Sequence, residues 1–100
     1  MIQVYVVCKS EKEARMIAQS AVKERLAACG NFWKCSSVFE WKGKLSKARE
    51  AILVLKTTKN KRPALVRKIK SLHSYDVPCI CWWSEQADAA YAKWVAQICR

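Results

Sequence analysis

Glycine and proline are scarce in this chain, two of each in 100 residues, which excludes collagen-like, linker-like and low-complexity organisation. No uncharged apolar run approaches the ~20 residues a membrane helix needs, so no membrane association is expected. The opening residues Met1-Ile2-Gln3-Val4-Tyr5 have no basic region and no small-residue cleavage site, so no secretory signal and a cytoplasmic location are expected. Histidine occurs once, as His73, which leaves little room for multi-histidine chemistry. Acidic side chains are the remaining shortage, eight against nineteen Lys and Arg, for a net charge of +11. An apolar fraction of 52% excludes intrinsic disorder, and the length indicates a single domain over residues 1–100.

Six cysteines in a secreted chain would suggest a disulfide framework; without a signal they read as free thiols in a reducing compartment. Cys79 and Cys81 are one residue apart, unlike the usual CxxC metal knuckle, and Cys29 and Cys35 lack a matching second pair. The positive charge is local. Residues 34–70 carry twelve basic side chains against only Glu40 and Glu50. Such asymmetry suits non-specific attraction to a polyanion, or serves only as a solvated face.

Residues 2–8 are β-branched and aromatic and read as a strand. Ser10 then stands as a helix N-cap with Glu13 at capping-box spacing, and apolar residues recur at helical intervals from Ala14 to Leu26. Gly30-Asn31 is expected to end that helix, leaving Cys29 at its C-terminus. Residues 31–41 read as a long strand with Trp33, Cys35, Phe39 and Trp41 on one parity, turning at Lys42-Gly43-Lys44 into a second long strand over roughly 48–57. Pro63 opens a second helix with Leu65, Ile69 and Leu72 as its buried stripe. A fourth strand is expected over 76–83, and Ala87, Ala90, Tyr91, Trp94, Val95 and Ile98 mark a C-terminal helix. The order βαββαβ plus a final helix is the α+β ferredoxin-like sandwich, with expected strand order 4-1-3-2 and both crossover helices on one face.

Two features indicate an oligomer. The first, third and fourth strands are apolar on both parities, yet helices cover only one face. Strands of eleven and seven residues at ~3.3 Å each also leave the hairpin overhanging its sheet by about 13 Å, with unpaired edge groups.

Glu24-Arg25-Leu26-Ala27-Ala28-Cys29-Gly30-Asn31, Trp41-Lys42-Gly43-Lys44, Lys56-Thr57, His73-Ser74-Tyr75-Asp76-Val77-Pro78 and Tyr91-x-x-Trp94 together resemble the CutA divalent-cation tolerance family, over almost the whole chain. The resemblance implies a ferredoxin-like fold, a PII-like homotrimer, a cytoplasmic protein of the copper and divalent-metal response, and no catalytic reaction. It also implies a metal site carried over to Cys8 and His73. Leu72 stands where the family's site has a further histidine, Ser74 where the motif commonly has proline, and the +11 charge departs from the family's neutral or acidic habit.

The topology independently brings His73, just before the fourth strand, towards Cys8 at the end of the first. A thiolate and an imidazole suit Cu(I) or Zn(II), with Asp76 as an added or supporting ligand; the plain alternative is a packed thiol and a turn histidine. Nucleophilic catalysis by Cys8 or Cys29 with His73 lacks an orienting group and a glycine-rich turn. RNA reading of the RNA-recognition type needs aromatics on the third strand, and Arg49-Glu50-Ala51-Ile52-Leu53-Val54-Leu55-Lys56 has none. The second functional class is a basic oligomeric module holding polyanions or nucleotides at subunit clefts, where Trp41, Lys56, Tyr75 and Asp76 are the candidate lining residues.

Overall fold

The computed structural model describes residues 1–100 as strands β1 (Ile2–Cys8), β2 (Cys29–Trp41), β3 (Lys44–Thr57) and β4 (Ile80–Ser84), with helices α1 (Glu11–Lys23), α2 (Arg62–Leu72) and α3 (Ala89–Ile98). The strands form one antiparallel sheet in the order β2-β3-β1-β4, the expected 4-1-3-2 read from the other edge. The fold is the ferredoxin-like α+β sandwich.

Alternation along β1 and β3 sets the two faces. Ile2, Val4, Val6 and Cys8 with Ala51, Leu53, Leu55 and Thr57 point into the core, where Ala14, Ile17, Ala18 and Ala21 of α1 and Leu65 and Ile69 of α2 close over them. On the opposite parity, Tyr5, Val7, Ile52 and Val54 are only half-buried, Trp33 and Trp83 on the flanking strands are exposed, and so are Phe39 and Trp41 farther out along the hairpin. One sheet face is therefore apolar and uncovered within the chain. Large apolar patches on a monomer mark interaction surfaces.

The hairpin is longer than expected, because β2 begins at Cys29 rather than residue 31 and β3 at Lys44 rather than near 48. Within β3, β1 pairs only with Ala51–Thr57, so Lys44–Glu50 has β2 as its sole strand partner. Seven residues at ~3.4 Å make this two-stranded ribbon about 24 Å long, which accounts for the molecule's 46 Å long axis. At its tip Lys42 and Gly43 both have positive φ, 52° and 77°, as a two-residue hairpin turn requires.

Five local expectations are corrected. Helix α1 stops at Lys23, with Glu24 as C-cap, because Arg25 takes the left-handed conformation (φ 58°) and turns Leu26 and Ala27 back onto the core. Gly30 does not end that helix but lies inside β2, facing α1, and Cys29 opens the strand rather than closing the helix. A Cβ on Gly30 would stand 2.9 Å from Leu55 Cδ2 and 3.1 Å from the Cβ of Ala18, so the close approach of α1 to the sheet requires glycine. The fourth strand is shorter than expected, since Asp76, Val77 and Pro78 run as loop before it. Of the expected α3 stripe only Val95 is buried, against Ala28 and Cys99, while Tyr91 and Trp94 are exposed. Leu72 of α2 is likewise only partly buried, with Val66 taking the third inward position.

Candidate metal centre

The end of β1, the start of α1 and the loop after α2 meet at one point. Ser10 caps α1, its hydroxyl accepting from the Glu13 N–H at 3.1 Å. That places Glu13 one turn into the helix with its carboxylate turned back and buried: Oε1 accepts from the Lys9 N–H at 3.0 Å and Oε2 from the Ser74 N–H at 3.1 Å. The same carboxylate thus holds the chain entering the helix at Lys9 and pins the loop that carries His73. The His73 side chain is fully buried, and both ring nitrogens are engaged. Nδ1 accepts from the Tyr75 N–H at 3.1 Å, which leaves the ring proton on Nε2 to be donated to the Val7 carbonyl at 2.7 Å. Glu13 Oε1 lies 3.9 Å from Nδ1.

Cys8, Glu13 and His73 bring Sγ, a carboxylate oxygen and a ring nitrogen within 4.8 Å of one another. The structure therefore brings together Cys8 and His73, as the topology requires. It supplies Glu13, not the exposed Asp76, as the third potential ligand. Burial, together with the Glu13 and Glu50 carboxylates, pushes the Cys8 thiol up to about 12. Burial works against the charge of Glu13, but the N–H groups of Lys9 and Ser74 and the proximity of His73 outweigh it and hold its carboxyl below the usual range.

A thiol, a carboxylate and an imidazole form a donor set for a soft or borderline ion. Each donor is presently committed: the thiol to its proton, Glu13 to two backbone N–H groups and Nδ1 to the Tyr75 N–H. The residues fit a metal in identity and proximity, and an ion would compete with a proton at Cys8 and with an amide at His73.

The four candidate cleft residues do not converge within one chain. Lys56 pairs opposite Cys29 at the root of the hairpin, where its ammonium donates to Asn31 Oδ1, while Trp41 sits at the far tip opposite Lys44. Tyr75 lies between them, its hydroxyl donating to Glu50 Oε2 at 2.7 Å; burial of the phenol and the Glu50 carboxylate raise that hydroxyl's pKa above its ordinary value. A neighbouring open cleft of about 440 Å³ is lined by Lys9, Ser10, Glu11, Lys34, Arg49 and Glu50, a mixed set of charges.

The chain is thus a ferredoxin-like sandwich with an overhanging hairpin, an uncovered apolar sheet face and a buried Cys-Glu-His cluster. The family described as CutA1 divalent ion tolerance protein matches residues 2–98, and the chain belongs to it. It is 38% identical over 96 residues to Protein CutA of Mus musculus, covering 94% of this chain and 54% of that protein. The divalent-cation tolerance protein CutA of Pyrococcus horikoshii is 33% identical over 98 residues, 97% of this chain and 96% of that one. The structure described as the periplasmic divalent cation tolerance protein CutA from Archaeoglobus fulgidus superposes with a TM-score of 0.95 at 31% identity, covering all of both chains. The chain spans about half the length of the mammalian relatives it matches. The family is named for tolerance of divalent ions rather than for a reaction, and no helix here is long and apolar enough to cross a membrane.

Proposed function

We propose that this chain, as a single CutA-like domain over residues 1–100, is a cytoplasmic, non-enzymatic protein of the divalent-cation response. In this reading it is a homotrimeric, PII-like scaffold whose protomers each hold a soft ion, copper foremost, at Cys8, Glu13 and His73. The observation carrying this reading is the convergence of those three side chains at the junction of β1, α1 and the loop before β4. A bound ion there would add a direct link between segments now joined by hydrogen bonds and core packing, and so report metal supply as a change in local stability. Assembly is supported by the bare apolar sheet face and by the ribbon Lys44–Glu50, where Leu45 and, on β2, Val38 and Trp41 stay exposed. Titration of the reduced protein with Cu(I) should show one strong site per chain, lost in Cys8→Ser and His73→Gln. Unchanged uptake in two variants that still melt cooperatively would sink the site, and sedimentation as a monomer at micromolar concentration would sink the scaffold.

A second reading, a basic oligomeric module binding polyanions or nucleotides at subunit clefts, is favoured by one observation. Of nineteen Lys and Arg side chains, only Lys34 and Lys68 have a carboxylate within 4.0 Å. In that arrangement Trp41 and Lys56, at opposite hairpin ends, would line a cleft only by coming from different chains.

A further inference from the structure

The unpaired cations are concentrated on one helix. From Ala51 to Tyr75 the sequence has no acidic residue, and Lys59, Lys61, Arg62, Arg67, Lys68 and Lys70 lie on α2 or on its approach. Leu65, Val66 and Ile69 turn inward, so Lys59, Arg67 and Lys70 are exposed and the other three half-buried. Lys68 is held by Glu24 at 2.7 Å. The Arg62 guanidinium lies 4.5 Å above the Trp82 ring, ordered in advance while its N–H edges stay free. Lys59, Lys61, Arg67 and Lys70 have no carboxylate within 4.0 Å.

Helix stability does not explain the cations at the N-terminus of α2. Helix α1 follows the rules for stability: a Ser10 side-chain cap, Glu11 and Glu13 in the first turn, Lys23 in the last. Helix α2 has Pro63 in its first turn and Lys70 in its last, but its N-terminus opposes those rules, with Lys61 at the N-cap making no side-chain cap bond, Arg62 next to it and no acid in the first turn. These cations stand at the positive end of the helix dipole, and Arg67 and Lys70 repel one another at i,i+3 spacing. A row of negative charge along the helix would relieve both penalties.

We infer that the outer surface of α2 with its approach, residues 59–70, is a docking site for the phosphate backbone of nucleic acid, read without regard to sequence. The helix is about 16 Å long. A duplex presents one phosphate per 3.4 Å along each strand, so about five per strand lie over that length, enough for the free cations Arg67 and Lys70 on the helix, with Lys59 and Lys61 extending the row along its approach. Membrane docking would want a band of large apolar side chains beside the cations, but Leu65, Val66 and Ile69 of α2 face the core, Leu72 is half-buried, and the exposed Trp82 ring is the single bulky apolar group beside Arg62. Lysines acting as point charges on phosphates position a duplex without reading it. The surface lies on the helix layer, opposite the bare sheet face, and it requires neither Cys8 nor His73. The inference therefore stands independently of the metal reading.

The test is fluorescence anisotropy of the full chain with two unrelated 20-base-pair DNA duplexes, at 50 and 200 mM KCl. Four phosphate contacts give a slope of about −3.6 in log K against log salt, so affinity should fall about a hundredfold over that range, equally for both sequences. Lys59→Gln, Lys61→Gln, Arg67→Gln and Lys70→Gln together should weaken binding at least tenfold at 50 mM while the melting curve stays cooperative. Removing four charges at the hairpin tip instead (Lys42, Lys44, Lys47 and Arg49, each to Gln) should weaken it much less. Equal losses from the two sets, a slope near zero, discrimination between the duplexes, or tighter binding to vesicles of 30% phosphatidylserine than to DNA would each overturn the proposal.

Discussion

Replacing Glu13 by glutamine tests whether one carboxylate holds together the corner where β1, α1 and the His73 loop meet. Its two oxygens each accept a backbone N–H, from Lys9 and from Ser74, in a buried site. Glutamine keeps the shape but turns one acceptor into an NH2 donor facing an N–H. One charge-assisted bond is lost outright, the other weakened, and a backbone donor is left unpaired. Bonds to charged groups contribute about 1.5–3 kcal/mol, and an unsatisfied buried donor costs about 1–3 kcal/mol, so Glu13→Gln should lose about 2–4 kcal/mol. For a chain of this size that is roughly 10–30 °C in Tm. Urea unfolding at matched protein concentration is the assay, since any association would move the midpoint by mass action. The pH dependence gives a second check. The native pKa of Glu13 is lowered, so its stabilisation is fully present above the unfolded value near 4.3 and is lost as pH falls through the lower native one. The gap between wild type and Glu13→Gln should be flat from pH 7 to about 5 and should close in acid, where protonated glutamate and glutamine are near-isosteres. A gap under about 0.5 kcal/mol at pH 7, or one that widens on acidification, would refute the reasoning.

Gly30→Ala should destabilise by about 1–3 kcal/mol through overpacking, because the new methyl meets Leu55 and Ala18, both buried; an unchanged urea midpoint would mean that α1 can move off the sheet freely. Cys8 and Cys99 are buried with raised thiol pKa values, burial being the leading cause at each, so iodoacetamide at pH 8 should leave both unmodified in native protein and label all six cysteines in urea. Peptide mapping reads the outcome, and labelling of native Cys8 at the rate seen in urea would contradict its place in the core.

Element order, sheet topology and the meeting of Cys8 with His73 are legible in the sequence because they follow from periodicity and chain connectivity. The misses have physical causes. Gly30 was expected to stop a helix because glycine usually marks a C-cap, but the left-handed turn is made by Arg25, whose identity gives no such cue. The first residues of β3, Lys44 to Lys47, show no apolar alternation because that half of the ribbon has no core to face. Glu13 was legible as a capping residue and not as a site residue. The available signal was its position five residues beyond Cys8, on a helix that starts where β1 ends. The apolar residues of α3 are periodic but mostly exposed, since periodicity shows which residues share a face and not whether the same chain covers it.

The division of β3 into two halves separates two kinds of evolutionary pressure along one strand. Ala51–Thr57 answers to β1, α1 and α2, and a substitution there is judged by whether the chain folds. Lys44–Arg49 has β2 as its only strand partner, and a Cβ at Gly43 would meet nothing within 4 Å, so substitutions there pass largely unseen by the core, whereas Glu50 is tied to Tyr75. The ribbon can drift, exchange charge or change length while the fold stays intact. Its amides should also exchange with solvent well before those of Leu53 and Leu55, fraying from the tip inward until something outside the chain holds them.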